Sequence, residues 1–139
     1  MNLKSTMALL TLAIAAPAPA ATLSVTVDEI AVQQGQLKLA LYDSESAWKG
    51  EAKPRAGHLA QPDGDATLEF SFADLPPGRY AVRVMHDENG NGKLDSNFLG
   101  IPKEGYGASN NPKVMRAPHF DEAAFDLGEE DLAITIILN

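Results

Sequence analysis

Asp87, Asn89, Asn91 and Asp95 recur along the run His86-Asp87-Glu88-Asn89-Gly90-Asn91-Gly92-Lys93-Leu94-Asp95. Short carboxylate and amide side chains spaced in this way around a curled loop can surround a hard cation, which takes six to eight oxygen ligands. The run follows the calcium-loop pattern D-x-[DN]-x-[DN]-G through its first six positions, with Gly92 where the chain must turn sharply. Lys93 would offer its backbone carbonyl, and Leu94 is expected to peg the loop to the core. The pattern breaks at the twelfth position, where a bidentate Glu is expected and Phe98 stands. A carboxylate from further along must then complete the shell. Glu104 is the candidate, with Asn97 or water as substitutes. The expected ligands are therefore Asp87, Asn89, Asn91, Lys93, Asp95 and Glu104, and the expected ion is Ca2+. With so few charged ligands the affinity falls in the weak extracellular range, about 10⁻⁴ to 10⁻³ M. The competing reading is an ion-free, Asx-rich turn, since Asn and Asp favour turns for backbone reasons alone.

Other residues carry less chemistry. His86 is in phase with Tyr80, Val82 and Val84 and reads as a hydrogen-bonded structural histidine, because a transition-metal ligand needs partners and His58 and His119 are distant in sequence. Ser109 lies in Gly-Ala-Ser-Asn, without the Gly-x-Ser-x-Gly elbow of a nucleophile. Asp87 with Glu104 could form the carboxylate pair of a hydrolase. Asp87 has a better use as the first metal ligand, so no residue is assigned as catalytic.

The elements that must position this loop are strands. Apolar residues alternate with polar ones at Leu23-Val25-Val27, Leu37-Leu39-Leu41, Leu68-Phe70-Phe72, Tyr80-Val82-Val84 and Leu132-Ile134-Ile136-Leu138. Further strands are expected near Gly57–Gln61 and Val114–Arg116. One apolar and one wet face per strand predicts antiparallel sheets packed face to face. The fold class is all-β: an Ig-like or transthyretin-like sandwich of about seven strands, with one long Gly/Asn-rich loop from Asp87 to Pro118. Single helical turns are expected at Ser44–Trp48, capped by Asp43 or Ser44, and at Phe120–Phe125. Trp48 and Phe125 read as satellite core residues.

The N-terminus sets the compartment. Lys4, the apolar run Met7–Ala16 and Ala18-Pro19-Ala20 form the three parts of a cleavable signal peptide over residues 1–20. The run is too short to span a bilayer. Residues 21–139 then form a single domain, exported to the periplasm or secreted. The chain has no cysteine and a net charge of −8, and loss of a leader whose only charged side chain is Lys4 would take it to −9. That balance argues against nucleic acid and against an anionic membrane surface.

The arrangement Leu75-Pro76-Pro77-Gly78-Arg79-Tyr80-Ala81-Val82, followed by the His86–Asp95 run, Gly100–Asn111 and Phe120–Phe125, resembles an uncharacterised bacterial exported family, domain of unknown function 2141. The resemblance covers essentially the whole of residues 21–139. More loosely, the Pro-Gly-x-Tyr start of a strand is similar to transthyretin-like and collagen-adhesin B-type sandwich modules, which often serve as structural or carbohydrate-associated accessories. The resemblance implies a fold and a compartment but no activity. Two functional classes follow. The first is a non-catalytic exported sandwich whose calcium loop orders a surface for an envelope or extracellular partner, including a glycan. The second is a hydrolase working through Asp87 and Glu104. A glycan site would want exposed aromatics, and only Tyr106 and Trp48 are placed to serve.

Overall fold

The computed structural model describes residues 10–15, 20–99 and 102–139. Their elements run β1 (Ala21–Asp28), β2 (Gln36–Tyr42), α1 (Glu45–Trp48), β3 (Ala56–Ala60), β4 (Leu68–Leu75), β5 (Gly78–Asp87), β6 (Tyr106–Ala108), α2 (Phe120–Ala123), β7 (Phe125–Leu127) and β8 (Leu132–Ile137). The protein is all-β, with eight strands in two sheets and two single-turn helices. One sheet has the order β4-β1-β8 and the other β3-β2-β5-β6, with β7 pairing the start of β5.

Alternation decides which face each strand buries. Leu23, Val25 and Val27 stand opposite Leu132, Ile134 and Ile136 in register, so both strands turn their apolar side the same way. Leu37, Leu39 and Leu41 do the same beside His86, Val84 and Val82. Leu23, Val25, Leu37, Leu39, Phe72, Val82, Val84 and Ile136 share one core drawn from both sheets, with Phe70 and Ile134 packed against it. A bulge on β4 keeps this pattern at the strand end: Leu23 faces Phe72 but Ala21 faces Leu75, and Asp74 takes up the additional residue at φ 57°.

Several expectations are corrected. The β1–β8 pair is parallel, although the other pairs are antiparallel. Val114–Arg116 forms no strand. The stretch from Asp87 to Pro118 is not one continuous loop. β6 returns from it to pair with β5, and a bridge joins Ser96 to Pro102. β6 can lie close to β8 because Gly107 has no side chain; a Cβ there would stand 2.6 Å from Ile136 Cγ2.

The outer face of the larger sheet is not wet throughout. Tyr42, Ala47, Trp48, Ala81, Ala108, Phe120 and Ala123 form a second core, covered by α1 and α2. Ser44 caps α1 by accepting the Ala47 N–H at 3.2 Å. Ser109 is a structural tie: its hydroxyl accepts from Val82 N at 2.9 Å and donates to Ala123 O, joining β5 to α2. Trp48 is a core residue of this second cluster, and Phe125 packs against the first.

The expected cleavage site, Ala18-Pro19-Ala20, lies outside the described residues except for Ala20. Leu10, Leu12 and Ile14 are exposed and belong to no helix or strand, while Ala21 opens β1 and is buried. Among the described residues no helix is long and apolar enough to cross a membrane.

Candidate metal centre

β5 delivers Asp87 to the mouth of the loop. Its carboxylate is buried and already used: Oδ1 accepts from Asn91 N at 3.2 Å and Oδ2 from Gly92 N at 2.7 Å. Gly90 and Gly92, at φ 72° and 78°, let the chain curl tightly enough to bring those two N–H groups back to Asp87. Asn89 Oδ1 accepts from Asn91 N, and Asn91 Oδ1 from Lys93 N at 2.9 Å, which are Asx turns. The two Asn side-chain amides converge on Asp95. Asn91 Nδ2 donates to both of its carboxylate oxygens, at 2.8 and 3.0 Å, and Asn89 Nδ2 donates to Oδ2. Those amides, Asn91 first and Asn89 second, hold the Asp95 carboxyl below its usual range, with Glu104 and Lys103 adding to the effect.

Glu104 reaches the same place from the other side. It is 5% exposed, and its carboxylate accepts from Asp95 N at 2.9 Å and from Glu88 N. Lys103 N donates to Asp95 O at 2.7 Å and sets Glu104 against the loop. Asp87, Asn89, Asn91, Asp95 and Glu104 thus belong to one connected network. Phe98, at the twelfth position, points into solvent, whereas Glu104 is buried. Lys93 is exposed, and Asn97 Oδ1 accepts from Leu99 N at 2.9 Å. Leu94 is not the expected peg: it is half-buried and joins neither core. The loop is anchored instead by its two buried carboxylates, and from below by Gly35, where any Cβ would collide with the Asp87 carbonyl.

The fit to a cation is partial in this arrangement. Among the described residues no three His, Asp or Glu side chains gather closely enough to hold an ion as they stand. The oxygens are occupied by N–H donors. Turning the Asn89 and Asn91 amides over would direct their Oδ1 atoms at Asp95 in place of their Nδ2 atoms. That movement would give up the bonds that Asn89 Oδ1 and Asn91 Oδ1 accept from Asn91 N and Lys93 N, so a bound cation would have to offset their loss.

The remaining candidates separate in space. His86 is buried, and its Nε2–H donates to Gln34 O at 2.7 Å. His58 bonds Ser71 O at 2.8 Å, and His119 precedes α2 as its N-cap. The Tyr106 side chain lies with Arg83 on the outer face of the larger sheet. Trp48 is 5% exposed and presents no open ring face for a sugar. The cavity next to the loop is lined by His86, Glu88 and Lys103, not by Asp87 or Glu104. Arg83 lines a separate cleft with Trp48 and Lys53, which no motif in the sequence marks. Its only signal was a cation at an outward strand position flanked by Ala81.

The chain matches, over residues 25–135, the model of a family described as an uncharacterized protein conserved in bacteria (DUF2141). It belongs to that family. No curated protein and no solved structure matches it. In this DUF2141 chain the matched span takes in all of β2–β7, both helices and the whole of the Asp87–Glu104 network.

Proposed function

We propose that this DUF2141 protein is a non-catalytic, exported β-sandwich of the Ig-like or transthyretin-like kind whose Asp87–Asp95 loop takes Ca2+ and so orders a surface for a partner or glycan outside the cytoplasm. The observation that carries the reading is Glu104: a carboxylate sixteen residues from Glu88 is buried and tied to the backbone of both Glu88 and Asp95. It supplies the charge that the loop lacks at Phe98. Asp87, Asp95 and Glu104 would hold the ion together with the Asn89 and Asn91 side-chain oxygens and the Lys93 carbonyl. The ion's part would be structural, replacing the amide contacts around Asp95 with shorter, stronger ones. Export rests on the Lys4, apolar-run and Ala18-Pro19-Ala20 pattern. Mass spectrometry of protein recovered from the native cell envelope should find a chain beginning at or next to Ala21; an intact Met1 would sink that part of the reading.

The hydrolase reading has less support. A general acid or nucleophile must reach substrate. Asp87 and Glu104 are both buried and bonded to backbone N–H groups. Calorimetric titration with calcium, magnesium and zinc tests the preferred reading: heat with calcium that Asp87→Ala and Glu104→Ala abolish.

A further inference from the structure

The chain has four arginines among its nineteen acidic side chains. Three are exposed and each lies near a carboxylate: Arg55 near Asp43 at 3.8 Å, Arg79 with Asp121 at 2.9 Å and Arg116 with Glu122 at 2.8 Å. Arg83 is the half-buried one, and it pairs with no carboxylate among the described residues. Its guanidinium carbon lies 3.8 Å from the centre of the Trp48 ring and 5.2 Å from that of Tyr42, two cation–π contacts that restrain the head group. One of its five N–H donors goes to Trp48 O at 3.3 Å. The Tyr106 hydroxyl is close enough for Arg83 to oppose the upward pull of burial on its pKa, yet it makes no well-formed hydrogen bond. Arg83 is therefore a pre-oriented fork with unused donors.

It forms part of a cleft of about 560 Å³ between the α1–β3 loop and the outer sheet face. Lys53 lines the same cleft and pairs with no acid among the described residues. The lining holds Lys49, Lys53 and Arg83 against Glu51, and with Glu45 paired to Lys49 at 2.9 Å just outside it, the cleft and its rim together carry close to one net positive charge. Ala47, Ala52 and Pro54 supply apolar wall. We propose that this cleft binds a small ligand bearing one carboxylate on an apolar or sugar-ring body, with the carboxylate on the Arg83 fork and Lys53 at the rim. A planar guanidinium matches a carboxylate in two parallel hydrogen bonds, and a single net charge suits a monoanion over a phosphate dianion. The site lies apart from the metal loop and goes beyond the calcium reading.

Trp48 is the only tryptophan, so its indole N–H gives one cross-peak in an ¹⁵N-labelled sample, and it sits under Arg83. Benzoate and glucuronate should each be titrated beside their neutral counterparts, benzyl alcohol and glucose, and beside inorganic phosphate, in chelator and again in calcium. At least one carboxylate should move the Trp48 peak saturably, with Kd on the order of 1 mM, the range open to so small a ligand. The neutral counterparts should not, and the result should be the same with and without calcium. Arg83→Gln should weaken binding at least tenfold and Lys53→Gln about two- to threefold. Lys53 is on an exposed loop, so K53Q carries the test if R83Q loses its spectral dispersion. No saturable shift with either carboxylate, equal binding of the neutral molecules, tighter binding of phosphate, or unchanged affinity in K53Q would each overturn the proposal.

Discussion

The two halves of β5 end in opposite kinds of order. Around Val82 and Val84 the chain is held by aliphatic contact across two sheets, with both side chains wholly buried. Three residues beyond Val84, around Asp87, it is held by carboxylates that accept backbone and amide N–H groups. The first region loses stability in proportion to the apolar volume removed. The second depends on a few acceptors, each of which leaves buried donors behind when deleted. On the calcium reading, only the second changes its order, by exchanging N–H donors for a cation.

The largest separation between the regions comes from truncation in the core. Leu41 is wholly buried, so Leu41→Ala should cost about 2–5 kcal/mol, and Val82→Ala about 1–3, in urea unfolding. Both variants should keep the full response to calcium. A change in that response would mean that core and loop are not independent.

Next is Glu104→Ala. It strands the N–H groups of Glu88 and Asp95 and should cost about 1–3 kcal/mol without metal. It should also abolish any calcium effect, as should Asp87→Ala and Asp95→Ala. Glu88→Ala should leave the calcium effect intact, because Glu88 Oε1 turns toward Gly105 N. A Glu104→Ala protein that still responds to calcium would remove Glu104 from the ligand set.

The smallest effect lies on α2, outside both regions. Arg116 grips Glu122 through two hydrogen bonds and, with the His119 backbone N–H second, holds that carboxyl down to about 2 from 4.5. A depressed carboxylate contributes its stability above the unfolded pKa, and loses it as pH falls from about 4.5 toward 2. The pair is solvent-exposed, so the loss should be small. An NMR titration of Glu122 should give a midpoint near 2 that returns toward 4.5 in Arg116→Gln.

What could be read from residue order follows the same division. Period-two alternation marked β1, β2, β4, β5 and β8, because each buries one face against a common core. It could not show that β8 runs parallel to β1, since parallel and antiparallel neighbours bury the same face. β6 is three residues around Gly107, and its pairing depends on that glycine's approach to Ile136, a contact 29 positions away. The outer core was hidden because Tyr42 and Ala81 occupy positions that alternation assigns to solvent, and Ala108 lies in the stretch read as a loop. Their cover comes from α1 and α2, each a single turn. In the loop, spacing singled out Asp87, Asn89, Asn91 and Asp95 and the missing carboxylate at Phe98 directed attention to Glu104, and the structure ties these five into one hydrogen-bonded network. Leu94 was misassigned because the loop's anchors are carboxylates and not apolar contact.

The measurement closest to the central claim is the melting temperature of the wild-type protein in chelator and in several millimolar calcium. A cation that binds only the folded loop stabilises by RT ln(1 + [L]/Kd), on the order of 1 kcal/mol for millimolar calcium at a weak site, or a rise of a few degrees. That rise should vanish in Asp87→Ala. An identical melting temperature in chelator and calcium would contradict the account and leave the loop as a self-satisfied, Asx-rich turn.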